Sequence, residues 1–336
     1  MSRIREVLGR LLVREDLARD EVAELFGRMM DGELEEPEIA ALLVALAAKG
    51  ETADEIAGAA LAMRARAVRV AHGRSDAIDT CGTGGDGRGT FNVSTAAALV
   101  AAAAGVPVAK HGNRAISSRS GSADLLAELG VPLEPGPERA GRQLDAIGIA
   151  FLFAPAHHPA TRAAAPVRRA LGVRTLFNLL GPLTNPAGAR RQLLGVYARD
   201  RVEPVARVLA SLGCDHAWVV HGDDGLDEIT TTTTTFVAEV RGESVRTFVL
   251  DPVAHGVERA RPEQLVGGSS IENREMLLRL FRGTPGPLTG IVALNAGAAI
   301  HVGGRAGTIA EGVGRAREVL ASGAALAKLE ELKSFR

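Results

Sequence analysis

The sequence predicts an α/β fold with a mainly parallel central sheet, flanking helices and a smaller all-helical domain. Residues 1–70 show only helical periodicity of apolar side chains. From Asp76 onward, short apolar runs alternate with helical stretches, which is typical of a parallel sheet with helices on both faces. Between Pro159 and Pro186 the alternation stops, and the segment has a helical pattern with proline interruptions.

The predicted helical domain carries start and stop signals. Pro37 suits the first turn of a third helix, and Gly50 ends that helix. Thr52 and Glu55 form a capping box for a fourth helix, which runs to about Arg66. The expected domain boundaries are 1–70 for the N-terminal helical domain, joined by about 160–190, and 71–159 with 191–336 for the α/β domain.

The remaining strands and helices are predicted from short apolar runs that alternate with stretches of helical apolar spacing. Strands are expected at 77–81, 106–110, 149–155, 193–198, 216–222 and 236–240, and helices at 94–104, 122–129, 138–147 and 202–212. Residues 291–300 form a late apolar segment, and the tail from about Ala310 is expected to form one or two amphipathic helices. The six-threonine run Thr230–Thr235 is β-prone.

The stretch Asp79–Thr95, DTCGTGGDGRGTFNVST, holds five glycines between a predicted strand and a predicted helix. Glycine adopts positive φ readily and lets a ligand approach bare backbone N–H groups. A strand, a glycine loop and a helix N-terminus together favour phosphate, because the free N–H groups and the helix dipole both attract anions. A mobile surface loop is the alternative, which the hydroxyl-rich run Asn92–Thr95 at the helix start disfavours.

Two familiar phosphate motifs fit this stretch incompletely. Gly82, Gly84 and Gly87 have the dinucleotide-binding spacing, but that motif also needs an acidic residue at the end of the next strand, which here ends in Lys110. The Walker A spacing that follows lacks its lysine, since Thr90 stands in that place. The loop therefore indicates phosphate binding of another kind.

A second cluster, KHGNRAISSRSGS, spans Lys110–Ser122 at the end of the next predicted strand. It combines Lys110, Arg114 and Arg119 with four serines, and such a mixture of cations and hydroxyl donors fits a ligand with several phosphate oxygens. The alternative is a solvated basic loop. The C-terminal ends of parallel strands converge on one crevice, so this cluster and the glycine loop are expected to meet.

A third cluster, HGDDGLDEI, follows the predicted strand 216–222. The adjacent carboxylates of Asp227 and Glu228 are hard oxygen ligands, and Mg²⁺ prefers one or two carboxylates together with water and substrate phosphates. Asp223 and Asp224 are further candidate ligands. Taken alone the cluster is also compatible with an ordinary acidic turn, but two phosphate loops in the same chain favour a metal.

Composition excludes several classes of function. The net charge of -1 disfavours a nucleic-acid-binding or anionic-membrane protein. Cys81 and Cys214 are the chain's two cysteines, so no disulfide framework is implied, and a reducing cytoplasm is expected. The first ten residues lack the apolar core of a signal peptide, and Ala96–Ala104 is too short to span a membrane.

Six motifs in this order resemble those of the anthranilate phosphoribosyltransferases, and the similarity covers almost the whole chain. They are GTGGDG (82–87), NVST (92–95), KHGNRAISSRSGSAD (110–124), FNLLGPLTNP (177–186), DGLDEI (224–229) and LNAGAA (294–299). The resemblance implies the nucleoside phosphorylase/phosphoribosyltransferase type of fold, with Mg²⁺ and 5-phosphoribosyl 1-diphosphate (PRPP) at the strand ends and anthranilate near the helical domain.

The resemblance also implies roles for individual residues. It implies contacts with PRPP at Gly82, Gly85, Asp86, Thr90, Asn92, Val93, Ser94, Thr95, Lys110, His111, Gly112, Asn113, Arg114, Ala115, Ile116, Ser117, Ser118 and Ser122. It implies magnesium at Ser94, Asp227 and Glu228, with Lys110, Asp227 and Glu228 in catalysis. Anthranilate is implied at Asn113 and Arg168, with Gly82, His111 and Pro182 lining its path, and a guanidinium suits its carboxylate.

The reaction implied is attack of the anthranilate amine on C1 of PRPP, with departure of pyrophosphate and inversion. The amine is already neutral at pH 7, so catalysis is expected to rest on positioning and on stabilising the leaving group's charge. A nucleoside phosphorylase of the same fold and a non-catalytic nucleic-acid-binding relative are the alternatives. His157 and His158 are expected to form a surface or pocket wall and not a metal pair.

Assembly is expected to be a homodimer. The first helices carry a wide apolar stripe that includes Leu8 and Leu12, and closed two-fold pairing is the commonest way to cover such a stripe. The resembled family is typically homodimeric. The alternative is that the α/β domain covers the stripe completely.

Overall fold

The computed structural model describes residues 3–115 and 119–336. The α-helices of this part of the chain are α1 Arg3–Leu12, α2 Arg19–Met30, α3 Glu36–Lys49, α4 Ala53–Ala65, α5 Val93–Ala103, α6 Ser122–Glu128, α7 Pro137–Ile147, α8 Ala154–His157, α9 Ala165–Leu171, α10 Phe177–Leu183, α11 Val202–Ser211, α12 Ser270–Phe281, α13 Pro287–Val302, α14 Ile309–Ser322 and α15 Ala324–Ser334. The strands are β1 Ile78–Gly82, β2 Val108–Gly112, β3 Ile149–Phe153, β4 Arg191–Gly195, β5 His216–Gly222, β6 Thr235–Arg241 and β7 Ser244–Leu250.

The strands form one seven-stranded sheet in the order β3-β2-β1-β4-β5-β6-β7. The first five strands are parallel, and β6 and β7 run antiparallel to their neighbours. Two extensive apolar cores cover opposite faces of the sheet: Trp218 of β5 lies in one, and the adjacent Ala217 and Val219 lie in the other. Helices α1 to α4 share the second core with α9, α10 and α11. The predicted fold class is confirmed.

The helix start and stop signals predicted for α3 and α4 are present in the structure. Pro37 lies in the first turn of α3, and Gly50 caps its C-terminus with φ of 89°. The capping box at the start of α4 is present, since Thr52 accepts a hydrogen bond from the Glu55 N–H and Glu55 accepts one from the Thr52 N–H. The carboxylate of Glu55 also accepts the N–H of Leu17, which ties the start of α4 to the loop before α2.

The structure moves the start of one predicted strand and defines two segments for which no element was predicted. The second strand begins at Val108 and not at 106, because Pro107 has no N–H to offer the ladder. The β-prone threonine run contributes only Thr235 to β6, which was expected to begin at 236, and residues 231–233 form bends. The apolar segment 291–300 lies inside α13, a helix buried all round and therefore without an amphipathic signal. β7, at the sheet edge, was not predicted.

Four of the parallel strands end in glycine: β1 at Gly82, β2 at Gly112, β4 at Gly195 and β5 at Gly222. These ends lie at one edge of the sheet, where ligands of α/β proteins bind. In the described part of the chain, no helix is long and apolar enough to cross a membrane.

Candidate active site

The glycine loop leaves the C-terminal end of β1 and enters α5. Gly84, Gly85, Gly87 and Gly89 have φ values of 66°, 77°, 72° and 63°, a left-handed backbone that a side chain would strain. The expectation that this loop needs glycine for its conformation is therefore confirmed at these four positions.

Gly82 is glycine for a different reason. It is the register partner of Gly195 on β4, and Asp227 lies over both strand ends. A Cβ on Gly82 would meet the Asp227 carboxylate, and a Cβ on Gly195 would meet the Asp227 main chain. Sequence reasoning missed Gly195, although a glycine at the end of each neighbouring strand is a signal for close approach.

Asp227 and Glu228, the acidic pair, are hydrogen-bonded to the glycine loop and to the start of α5. The Gly84 N–H donates to Asp227 Oδ2 at 2.8 Å, and the Ser94 N–H donates to Glu228 Oε1 at 3.0 Å. Ser94 lies in the first turn of α5, so Glu228 takes one of the free donors of that helix N-terminus. The glycine loop and the acidic cluster, which are more than 130 residues apart in sequence, thus form one site.

The carboxylates of the acidic pair are costly to ionise. Burial, and then the neighbouring Asp86, raises the pKa of Asp227 to about 7. Burial, and then Asp227, raises the pKa of Glu228 to about 8, although Lys110 opposes the shift. Asp86 Oδ2 is buried and has no hydrogen-bond partner among the described residues. A divalent cation with oxygen ligands fits this donor set.

Lys110 enters the site from the buried side. Its ammonium, on a residue that is 3% exposed, donates to the Thr80 carbonyl and lies 3.4 Å from Ser94 Oγ. Burial lowers its pKa, while Asp79 in particular raises it. Lys110 therefore sits beside Ser94 and Glu228 and supplies positive charge beneath the acidic pair.

The remaining predicted contacts of the stretch Asp79–Thr95 lie at or just before the start of α5. Asn92 joins two elements: its amide donates to the Ser120 carbonyl at 3.1 Å and its oxygen accepts from Asn273 at 2.8 Å. Thr90 forms an isolated antiparallel bridge with Val266. Val93 and Thr95 are buried, and the Thr95 hydroxyl has no partner among the described residues. Asn273 was not predicted.

The second phosphate cluster follows β2 and is folded around Asp124, which sequence reasoning did not assign. Asp124 accepts the N–H groups of Ala115 and Gly121 at 2.8 and 3.0 Å and pairs with Arg114 at 2.9 Å. These bonds lower the pKa of Asp124 although its burial acts the other way. Ser122 Oγ donates to the carbonyl of Asn113 at 3.3 Å.

Three predicted contacts of this cluster, Ile116, Ser117 and Ser118, lie outside the described residues. Gly112 is again explained by close approach, because a Cβ there would meet Ser122 Oγ and the Phe151 ring.

The helical side of the cleft carries Arg168 on α9. Its guanidinium lies 4.8 Å from the centre of the Phe177 ring, and burial lowers its pKa. Among the described residues no carboxylate is paired with it, so it remains a cation that can bind an acidic ligand. Arg169, the next residue, is exposed.

Two neutral histidines, His111 at the end of β2 and His158 after α8, pack against each other. The rings of His111 and His158 lie 5.1 Å apart. Burial, and then His158, lowers the pKa of His111 to about 3, and burial lowers that of His158 to about 4. His157 is also buried, with Nδ1 2.8 Å from the Val68 carbonyl. The expected pocket wall is thus interior and not surface.

Pro182 of α10 is fixed by Gln192, whose amide donates to the Pro182 carbonyl at 2.6 Å.

Arg174 is a further residue that sequence reasoning missed. Its guanidinium stacks on Tyr197 at 4.4 Å and donates to the Gly85 carbonyl. Arg174 therefore links the segment between α9 and α10 to the glycine loop.

A separate grouping of possible ligands, His216, Glu239 and His301, lies at the other end of β5. Arg241 and Arg246 both donate to the Glu239 carboxylate, so its charge is already neutralised. This grouping is a buried ion-pair network, and a cation is disfavoured there.

The helical unit and the α/β unit each match a known family. Residues 5–67 match the helical bundle domain of the glycosyl transferase family, and residues 74–326 match its a/b domain. The fold and the site thus define a glycosyl transferase of this two-part type.

More specific relatives share nearly the full length. An anthranilate phosphoribosyltransferase of Bradyrhizobium sp. (strain BTAi1) is 49% identical over 332 residues, covering 99% of this chain and 98% of the relative. The crystal structure of the enzyme of that name from Thermus thermophilus superposes with a TM-score of 0.93 at 48% identity, covering 98% of each chain. The Saccharomyces cerevisiae enzyme in complex with PRPP and Mg gives a TM-score of 0.89 at 27% identity, covering 98% of this chain and 96% of that one.

The chain belongs to the anthranilate phosphoribosyltransferase family. It is a glycosyltransferase, and the resemblance inferred from its six motifs is confirmed.

Proposed function

We propose that the cleft at the ends of β1, β2, β4 and β5 carries out the family's reaction in this chain. The phosphoribosyl group of PRPP is transferred to the amine of anthranilate, which yields N-(5-phosphoribosyl)anthranilate and pyrophosphate, the second step from chorismate in tryptophan biosynthesis. The observation that supports this site most strongly is the meeting of the acidic pair with the glycine loop and the N-terminus of α5.

Asp227, Glu228 and Ser94 are the proposed holders of Mg²⁺. Two adjacent carboxylates of raised pKa, with the unpartnered Asp86 oxygen beside them, fit a cation on chemical grounds. When bound, the metal would neutralise oxygens of the diphosphate as its bond to C1 breaks. The yeast relative in complex with PRPP and Mg supports the choice of ion.

The diphosphate itself is proposed to bind where backbone N–H groups and cations converge. The positive-φ glycines between Gly82 and Thr90 present main-chain donors, and α5 adds its N-terminal dipole. Lys110, which lies beside Ser94, and Asn113 and Arg114 of the second cluster are the proposed side-chain contacts, and Arg114 is also paired with Asp124. These groups would hold C1 of the ribose in position for attack.

Anthranilate is proposed to enter from the helical side. Arg168 would pair with its carboxylate, since this guanidinium is half-buried and has no carboxylate partner in the described part of the chain. His111 and His158, held neutral, would form an uncharged wall beside the aromatic ring. The amine needs no proton removed before attack, so this wall has to exclude water and orient the ring, and no base is required.

A double substitution of the acidic pair tests the function. Asp227→Ala with Glu228→Ala is expected to abolish magnesium-dependent loss of anthranilate fluorescence while the circular dichroism spectrum is retained, because the site loses both ionic ligands. Asp223→Ala is the matched control, since that exposed carboxylate on the same loop pairs with Arg199 and Thr234. Near-normal turnover of the double variant would exclude this metal site.

The same assay separates the alternatives. A nucleoside phosphorylase would consume inorganic phosphate and leave anthranilate fluorescence unchanged with PRPP. A nucleic-acid-binding relative would show no turnover with either substrate.

We also propose that the chain forms a homodimer through its N-terminal helices and acts in the cytoplasm. Most of the apolar stripe on α1 is covered within the chain, where Ile4, Val7 and Leu11 are buried. Leu12 and Val13 remain 78% and 74% exposed, and these two side chains are what a partner would cover. The domain boundaries at 70 and at about 160 and 190 likewise stay proposals.

A further inference from the structure

The threonine run after the acidic pair has a structural partner. Asp224 Oδ2 accepts a hydrogen bond from the Thr230 hydroxyl at 2.6 Å and another from Thr232. Asp224 Oδ1 accepts the N–H of Leu226 at 3.3 Å. The carboxylate therefore ties the loop before Asp227 to the segment after Glu228, and it is occupied by these donors and not offered to a metal.

The opposite side of the acidic pair is held by Asn295, the asparagine of LNAGAA on α13. Its Oδ1 accepts the N–H of Ile229 at 3.0 Å, and its Nδ2 donates to the Ile229 carbonyl at 2.8 Å. Asn295 is fully buried. One amide side chain thus binds both polar groups of the residue next to Glu228, and it connects the loop to a helix 66 positions later.

Such restraint has a physical reason. Asp227 and Glu228 are neighbouring carboxylates, Asp227 raises the cost of ionising Glu228, and repulsion between them would favour an open loop. Their bonds to Gly84 and Ser94 act on the carboxylates alone. The backbone that carries them is fixed by Asp224 and Asn295.

We propose that Asp224, through Thr230 and Thr232, and Asn295 are positioning residues that hold the Asp227–Glu228 backbone in a metal-binding geometry. This inference rests on the proposed function, because it assumes that the acidic pair binds the metal. It gives the β-prone threonine run a role, because the run supplies hydroxyl donors to Asp224.

The test removes one hydroxyl at a time. Thr230→Val keeps the shape of the side chain but loses both the donor to Asp224 and the acceptor for the Thr232 N–H, and Thr230→Ser restores both. Thr233→Val is the matched control, because Thr233 lies in the same run and its hydroxyl donates no hydrogen bond to another described residue. Asn295→Asp keeps the acceptor for Ile229 and removes the donor, which tests the second anchor separately.

Two measurements besides turnover report on the anchors. Mn²⁺ binding to the full-length protein, followed by electron paramagnetic resonance, reports the geometry of the acidic pair. Amide hydrogen exchange over 223–230 reports the backbone directly. Thr230→Val is expected to weaken Mn²⁺ binding about tenfold, as the loss of one hydrogen bond to a charged group allows. Exchange in the loop should accelerate, and Thr230→Ser and Thr233→Val should behave like the unaltered protein.

The outcomes separate this inference from the proposed function. If Asp227→Ala leaves Mn²⁺ binding unchanged, the metal assignment fails whatever the threonine variants do. If Asp227→Ala abolishes binding while Thr230→Val alters neither binding nor exchange, the metal site stands and the positioning role is overturned. Should Thr230→Val fail to fold, Thr232→Val takes its place, because Thr232 is half-exposed and donates to the same oxygen.

Discussion

Gly195→Ala tests whether Asp227 lies over the ends of β1 and β4. A Cβ at position 195 would stand 1.6 Å from the Asp227 carbonyl oxygen and 2.4 Å from its carbonyl carbon, whereas Cβ atoms essentially never come within 3.0 Å of another atom. One of the two segments therefore has to move by at least about 1.4 Å.

The loop is the segment expected to move. Gly195 is held in the sheet by its pairing with Gly82 and Val220, and its carbonyl accepts the Thr83 N–H at 2.9 Å. Overpacking of this kind costs about 1–3 kcal/mol, which should lower Tm by roughly 2–6 °C. A displacement of about 1 Å at the acidic pair should lower kcat/KM by roughly 100-fold.

Thermal unfolding and the anthranilate fluorescence assay measure the two effects. Gly314→Ala on α14 is the control, because a Cβ there meets nothing within 4 Å and alanine suits an exposed helix. In Gly82→Ala the close contact is with the movable carboxylate of Asp227, at 2.3 Å, and the Asp227 carbonyl oxygen is 3.3 Å away, so this variant should impair turnover with a smaller loss of Tm. Normal turnover and normal Tm in Gly195→Ala would refute the placement of Asp227.

Three further predictions concern the amine site, pH and assembly. Arg168→Ala should raise the KM for anthranilate at least tenfold while the KM for PRPP changes little. The control Arg169→Ala, at an exposed residue, should alter neither KM. Equal changes in both KM values would mean that Arg168 has a structural role. The pKa values of Asp227 and Glu228 are raised to about 7 and about 8, so protons compete with Mg²⁺ for both carboxylates near neutral pH. The Mg²⁺ concentration needed for activity should therefore rise as pH falls from 9 to 6, and a flat dependence would contradict the raised pKa values. Leu12→Glu should convert a dimer into a monomer in sedimentation at micromolar concentration; a monomer before substitution would refute the dimer.

The parts of the fold that sequence predicted correctly are those with local signals. The strand β5 was placed at its observed bounds because turn residues flank an apolar run there. The capping box at Thr52 and Glu55 is a contact between neighbours, so sequence alone shows it. The meeting of the glycine loop with the acidic pair also follows from sequence, since parallel strands bring their C-terminal ends to one edge.

The parts that sequence could not give depend on contacts between distant residues. Gly195 resembles any glycine at a strand end until Asp227 is seen above it. Asn295 lies in an apolar segment whose helical form has no amphipathic period, and its partner is 66 residues away. The antiparallel direction of β6 and β7 is likewise invisible to periodicity, because both kinds of strand alternate in the same way.

In the proposed mode of binding, the substrate diphosphate would compete with the acidic pair for the same donors. The N–H of Gly84 and the N–H of Ser94 belong to the backbone that is proposed to bind phosphate oxygens, and here they are bonded to Asp227 and Glu228. Above the raised pKa values of the pair, a metal-free diphosphate would meet two ionised carboxylates at those positions and be repelled, with Lys110 as a neighbouring positive charge. Asp227 and Glu228 should therefore admit the diphosphate only together with its cation, so that one pair of carboxylates both binds the metal and selects for the metal-bound form of the substrate.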